Sequence, residues 1–314
     1  MKEYIIGKNE AGQRFDKYIF KLLKNAGTGL IFKQLRNKNI VLNGKKAKGN
    51  EILKENDSVR IFMSDDTINK FTGGPLHISK TGFRLDVIYE DDDILLASKP
   101  VGVLSQKSSN KDISMNEYLV EYLTDNGFGK ENLATFKPSF CNRLDRNTSG
   151  LMIAGKSLRG LQKMSEIIKD RSIHKFYLTI VKGTVDKKSV IKGYLRKDEK
   201  NNKVVIYDNP VKDSYEIHTE YEPLATKDDM TLLKVRLITG KTHQIRAHLA
   251  GISHPVLGDF KYGDKVFNEK YGEKKQLLHS YQVVFPKLDD FPDISEKSFN
   301  TPYPVNFTKY FKEN

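Results

Sequence analysis

Cys141-Asn142-Arg143-Leu144-Asp145-Arg146-Asn147-Thr148-Ser149-Gly150 is the stretch on which the reading of this chain turns. It sets one carboxylate between two arginines in a polar turn, and the turn feeds the apolar run Leu151-Met152-Ile153-Ala154. Neighbouring guanidinium groups favour an ionised acid and hold its oxygens in a fixed orientation. That suits a carboxylate nucleophile, or a base that must stay charged. On spacing alone, a surface salt-bridge turn is the better explanation of the same ten residues.

The next residues hold a decoy. Gly150, four residues, then Gly155-Lys156-Ser157 match the P-loop pattern letter for letter. A phosphate cradle needs a flexible turn between a strand and a helix, so that backbone amides converge on oxygens. Here the four intervening residues are those of a buried strand, and a turn precedes them, so the match reads as coincidence. Cys141 has no sequence-adjacent base and reads as a small buried residue. His243, His248 and His254 are not spaced to share a helix face, and no metal site is read from them.

Working outward, residues 85–89 and 94–97 look like strands joined by an acidic turn. Ser114 and Glu117 form a capping box that opens a helix running to about Leu123. Residues 158–168 have helical spacing, and 176–181 and 232–238 read as strands. The mixture is not strictly β-α-β, so the expected class is α+β.

Ahead of this lies a compact basic unit. Phe15, Ile19, Leu22 and Leu23 fall at helical spacing, closed by Gly27 and Gly29. A second short helix carries Leu30, Ile31 and Leu35 with Lys33, Arg36 and Lys38. Residues 40–46 enter an Asn43-Gly44 hairpin turn, and Val59, Ile61 and Met63 alternate as a closing strand. Residues 65–82 are polar, contain Gly73-Gly74-Pro75, and read as a linker between domains at 1–64 and 83–314.

Charge supports that division. The chain has 314 residues, 53 basic against 40 acidic, for a net +13. Residues 1–62 alone carry 14 Lys/Arg and 6 Asp/Glu. A concentrated basic unit beside a nearly neutral one suggests a polyanion anchor, although a solubilising surface explains composition equally well. With 38% hydrophobic and 30% charged residues the chain reads as globular. No run approaches a membrane helix, and the start, which carries acids and no long apolar stretch, does not read as a signal peptide. A single cysteine fits a reducing, cytoplasmic setting.

The decapeptide resembles the signature of the RluA-type pseudouridine synthases, which reads His-Arg-Leu-Asp-x-x-Thr-Ser-Gly. Further stretches resemble the same family in the same order. They are Lys99-Pro100-Val101-Gly102, Lys175-Phe176-Tyr177-Leu178, and Thr239-Gly240-Lys241-Thr242-His243-Gln244-Ile245-Arg246-Ala247-His248. The last continues through His254-Pro255-Val256-Leu257-Gly258-Asp259 to Tyr262-Gly263, and Leu278-His279-Ser280 with Phe285 resembles the closing strand. Asn142 stands where many members carry His. Arg14-Phe15-Asp16-Lys17-Tyr18 and the hairpin at 40–45 are similar to the S-four-type RNA-binding domain, without its usual Ser-Arg before the second helix.

The resemblance implies a mixed, mainly antiparallel sheet and conversion of uridine to pseudouridine in structured RNA. No cofactor, nucleotide or metal is implied. Large-subunit (23S) ribosomal RNA is the substrate expected of the RluC- or RluD-type branch, with transfer RNA as the alternative. Asp145 is implied as the catalytic carboxylate and Arg246 as its partner. Tyr177 would pack against the base and help remove the C5 proton, and Arg143 would orient the loop or contact the nucleotide. Arg14, Lys17, Lys33, Arg36, Lys45 and Lys46 would grip RNA backbone. Two readings from other classes stay open on sequence: a P-loop nucleotide hydrolase, and a non-catalytic RNA-binding or ribosome-assembly protein. The default oligomeric state is a monomer.

Overall fold

The computed structural model describes residues 1–73, 80–129 and 132–312. Its first part holds β1 (Lys2–Ile5), α1 (Phe15–Leu22), α2 (Thr28–Arg36), β2 (Ile40–Leu42), β3 (Lys45–Lys46), β4 (Ser58–Ile61) and α3 (Asp65–Thr72). The strands form an antiparallel sheet in the order β1-β4-β2-β3. Phe15 and Ile19 of α1, Ile31 and Leu35 of α2, and Ile40, Val59 and Ile61 of the sheet share one core. Asn43 and Gly44 both have positive φ, 50° and 72°, the geometry an Asn-Gly hairpin demands.

Part of the expected linker is helical. Ser64 caps α3 by accepting from the Thr67 N–H, Asp65 and Asp66 fill its first turn, and Gly73 ends it in the left-handed region. Its Ile68 is buried in the N-terminal core, so this octapeptide packs rather than links. The Gly74-Pro75 portion of the expected linker lies outside the described residues. Farther on, Thr81 donates to Glu121 from its backbone and its hydroxyl, which fixes the chain before the larger part begins.

That part holds β5 (Asp86–Glu90), β6 (Ile94–Lys99), α4 (Met115–Asp125), β7 (Ser139–Phe140), β8 (Ser149–Gly155), α5 (Leu158–Lys169), β9 (His174–Lys182) and β10 (Ser189–Asp198). It continues with β11 (Lys203–Tyr207), β12 (Tyr215–Lys227), β13 (Met230–Leu237), α6 (Gln244–Gly251), α7 (Lys265–Tyr271), β14 (Leu278–Val284) and β15 (Ser298–Asn300). Among the described residues these strands make one eleven-stranded sheet, β11-β10-β12-β13-β9-β14-β8-β6-β5, with β15 beside β14 and β7 beside β8. Its pairings are antiparallel except β14 with β8. The class is α+β with a mixed, mainly antiparallel sheet, as the sequence led us to expect.

Side-chain alternation explains the layering. Leu95 and Ala97 of β6 and Met152 and Ala154 of β8 face the core that also holds Leu119 of α4 and Leu249 of α6. Ile94, Leu96, Leu151 and Ile153 face the other way, onto Met164 and Ile167 of α5. With both faces covered, these strands read as continuous apolar runs. The parallel pairing of His279 with Ser149 and Ser280 with Gly150 brings the decapeptide against the closing strand. Gly150 permits it: its φ is +106°, and a Cβ there would lie 2.1 Å from the Ser280 carbonyl oxygen. No helix among the described residues is long and apolar enough to cross a membrane.

Candidate active site

Asp145 sits in the turn between β7 and β8, and that turn is pinned from several sides. Ser105 accepts from the Leu144 N–H and donates to the Leu144 carbonyl. The Gly102 N–H donates to the Arg146 carbonyl. Lys99, fully buried, donates from Nζ to the carbonyls of Pro100, Val103 and Arg146 at 2.8–3.0 Å. Burial pushes Lys99 down to about 7, against the pull of Asp145. Three carbonyl acceptors nevertheless use all three protons of an ammonium, and on that geometry the side chain is charged. Gln276 holds Thr148 from the far side.

The two arginines that flank Asp145 in sequence do not pair with it. Arg143 is exposed and lines the cleft, and Arg146 donates from Nε to the Gly102 carbonyl. Adjacent residues of a tight turn project apart, so sequence neighbourhood misleads here. The partner is Arg246, 101 positions on, whose Nη1 donates to Asp145 Oδ2 at 2.7 Å. Arg246 is buried and clamped on its other edge by Asp259, Nε to Oδ2 at 2.7 Å and Nη2 to Oδ1 at 2.8 Å. Burial opposes both charged forms, but these bonds outweigh it, holding Arg246 above and Asp259 below their ordinary values. Asp259 Oδ1 also accepts from the backbone N–H groups of Lys261 and Tyr262.

The segment before α6 supplies the rest. Gln244 Oε1 accepts from the Thr239 hydroxyl and the Lys241 N–H, while its Nε2 donates to the His218 carbonyl and to Thr219 Oγ1. This fixes the turn that presents His243 and Arg246. His243 is the residue preceding α6, in the left-handed region at φ 55°, with its ring against Tyr262 and its Nε2 3.9 Å from Asp145 Oδ2. Tyr177, 5% exposed on β9, closes the cleft with Leu237 and Leu278. Burial pushes its phenol up to about 12, so it is held protonated at neutral pH.

Asn142 turns away from the cleft and accepts from the Ile153 N–H, a structural task within the loop. Cys141 is pushed up to about 11 by burial, which removes its thiolate. The P-loop look-alike is β8 itself. Its Lys156 pairs with Glu90, and Ser157 caps α5. His248 is hydrogen-bonded to Thr219, and His254 to the Lys182 carbonyl. Among the described residues no His, Cys, Asp or Glu cluster could hold a metal ion.

On the N-terminal part, Lys17, Lys33, Arg36, Lys45 and Lys46 are exposed and make no ion pair among the described residues. Arg14 differs, because its guanidinium is spent on Asp16 at 2.6 Å. Sequence reading gave Asp259 and His243 no role of their own. The bidentate clamp that singles out Asp259 exists only once the turn after α6 closes.

The family model for RNA pseudouridylate synthases matches residues 93–251. The chain is 31% identical over 304 residues to an RNA pseudouridine synthase of Mycoplasma genitalium, covering 94% of this chain and 93% of that one. It is 28% identical to the ribosomal large subunit pseudouridine synthase C of Pasteurella multocida, over 91% and 86% of the two chains. Its fold matches human RNA pseudouridylate synthase domain containing 4 with a TM-score of 0.58 at 20% identity, covering 71% of this chain and 90% of that one. The chain thus belongs to the RNA pseudouridylate synthase family, in its RluA/RluC-type branch, and is a pseudouridine synthase.

Proposed function

We propose that the enzyme isomerises uridines of large-subunit (23S) ribosomal RNA, with Asp145 as the catalytic carboxylate. The observation that carries this reading is the Asp259–Arg246–Asp145 chain, in which a buried guanidinium, itself clamped, aims one carboxylate oxygen into a cleft. The relatives named for the ribosomal large subunit support the substrate. The reaction breaks the N1–C1′ bond, turns the base, and joins C5 to C1′. The C5 proton is lost and N1 ends protonated, so product and substrate are isomers and no external group is consumed.

Asp145 acts at the ribose. Arg246 balances its charge, and Arg143 at the rim meets the nucleotide. Tyr177, protonated, forms a wall for the base rather than serving as a phenolate. A uridine in structured RNA must leave its stack to reach this cleft, at about a few kcal/mol. Backbone contacts offset that cost, and the N-terminal cations, on an S-four-type unit, supply them without reading sequence. The test is pseudouridine mapping by carbodiimide labelling and primer extension on unmodified large-subunit RNA, with transfer RNA in parallel. New stops in the ribosomal RNA are expected. Stops confined to transfer RNA overturn the substrate, and none in either overturns the reading.

A further inference from the structure

The cleft contains a second polar group aimed at the space beside Asp145. Tyr262 Oη accepts from the Val204 N–H at 2.9 Å and lies 2.9 Å from His243 Nδ1. A phenol has one proton, and giving it to Nδ1 satisfies both groups. That leaves His243 as the Nε2–H tautomer. The Nε2–H is therefore a donor, 3.9 Å from Asp145 Oδ2, too far for a direct hydrogen bond. The ring is held there at a cost, since a left-handed φ is unfavourable in a residue with a Cβ.

An oxygen at ~2.8–3.0 Å from both atoms fits this gap. It would have to accept from His243 and donate to the carboxylate. Uracil carbonyls only accept, and its N3–H only donates. A hydroxyl does both, and an internal RNA nucleotide has one, on C2′. We propose that His243 and Asp145 together bind the 2′-hydroxyl of the target uridine, His243 donating to it and Asp145 accepting from it. The inference rests on the reading that Asp145 works at the ribose. It makes this pair the point at which the site distinguishes RNA from DNA.

The test is a cycle of two proteins and two fragments. Wild type and His243→Phe act on a fragment carrying the mapped target as ribouridine or as 2′-deoxyuridine, in single turnover. His243→Phe should slow the ribo fragment about tenfold and leave the deoxy fragment unchanged. His243→Asn, which keeps an N–H donor and tolerates the left-handed backbone, should recover most of the rate. If the deoxy fragment does not react, the same cycle is read from its inhibition constant as a competitor. Equal losses on both fragments overturn the contact and indicate a bound water or a packing role. Thermal melting is taken first, and His243→Ala replaces His243→Phe if the latter melts early. Asp145→Asn on the ribo fragment separates the two claims. Full activity there brings down the reading of Asp145, whereas an inactive variant with equal His243 losses brings down only the hydroxyl contact.

Discussion

The N-terminal part and the cleft use the same residue types in opposite ways. In the first, Lys17, Lys33, Arg36, Lys45 and Lys46 stand exposed, their charges met by solvent. In the second, Arg246 and Asp259 are 6% and 1% exposed and satisfy each other at 2.7–2.8 Å. An exposed cation gives long-range, salt-screened attraction and no fixed geometry. A buried, bidentate one gives a fixed direction and little reach. On the proposed function, the first region holds the RNA and the second aims the carboxylate.

The strongest challenge to that contrast is to unclamp Arg246. Asp259→Asn leaves a buried guanidinium half-paired, at ~3–5 kcal/mol of stability. Single-turnover rates should fall by about a hundredfold or more, with RNA affinity nearly unchanged; an equal loss of affinity would blur the division. Lys99→Met comes next. It removes the donor that ties three carbonyls together, leaving Arg146 only its Gly102 N–H, and frees the Asp145 loop, so kcat should fall about tenfold or more while KM stays close. Replacing Lys33, Arg36, Lys45 and Lys46 together by Ala should do the reverse. Affinity should drop, and its salt dependence should flatten by about one logarithmic unit for each phosphate no longer neutralised, with single-turnover rates at saturating RNA unchanged. Arg14→Ala, already committed to Asp16, should have the smallest effect on affinity.

Acid should act on the larger part rather than on the N-terminal one. Burial lowers His279, bonded to Ser149 and Thr301, to about 4, and likewise His248. The unfolded chain protonates these rings near their ordinary value of 6.5 while the folded one does not. Their stabilisation is thus full above about pH 6.5 and declines as pH falls toward 4. Thermal midpoints should drop over that window, and less steeply in His279→Asn.

Much of this was legible in the sequence, for physical reasons. The uninterrupted apolar runs of β6, β8 and β9 announced strands covered on both faces, and the Asn43-Gly44 turn announced its hairpin. The cleft residues Asp145, Tyr177 and Arg246 were found through ordered motifs. Other features needed the fold. Helix α3 was passed over because only Ile68 and Phe71 of its eight residues reach the core, although Ser64, two acids and Gly73 had written its caps. The strands β10 to β12 carry charges at many positions, which dilutes a period of two. Arg143 and Arg146 stood beside Asp145 in sequence, yet the partner came from α6. The clamp on Arg246 is set by a turn 13 residues farther on.

The central claim is that one fixed carboxylate performs the reaction, and Asp145→Asn tests it with almost no change of shape. Single-turnover pseudouridine formation and RNA affinity would be measured on the same preparation. A rate reduced by about a thousandfold or more, with affinity intact, is expected. A rate within about tenfold of the wild type would contradict the account and place the chemistry on another residue.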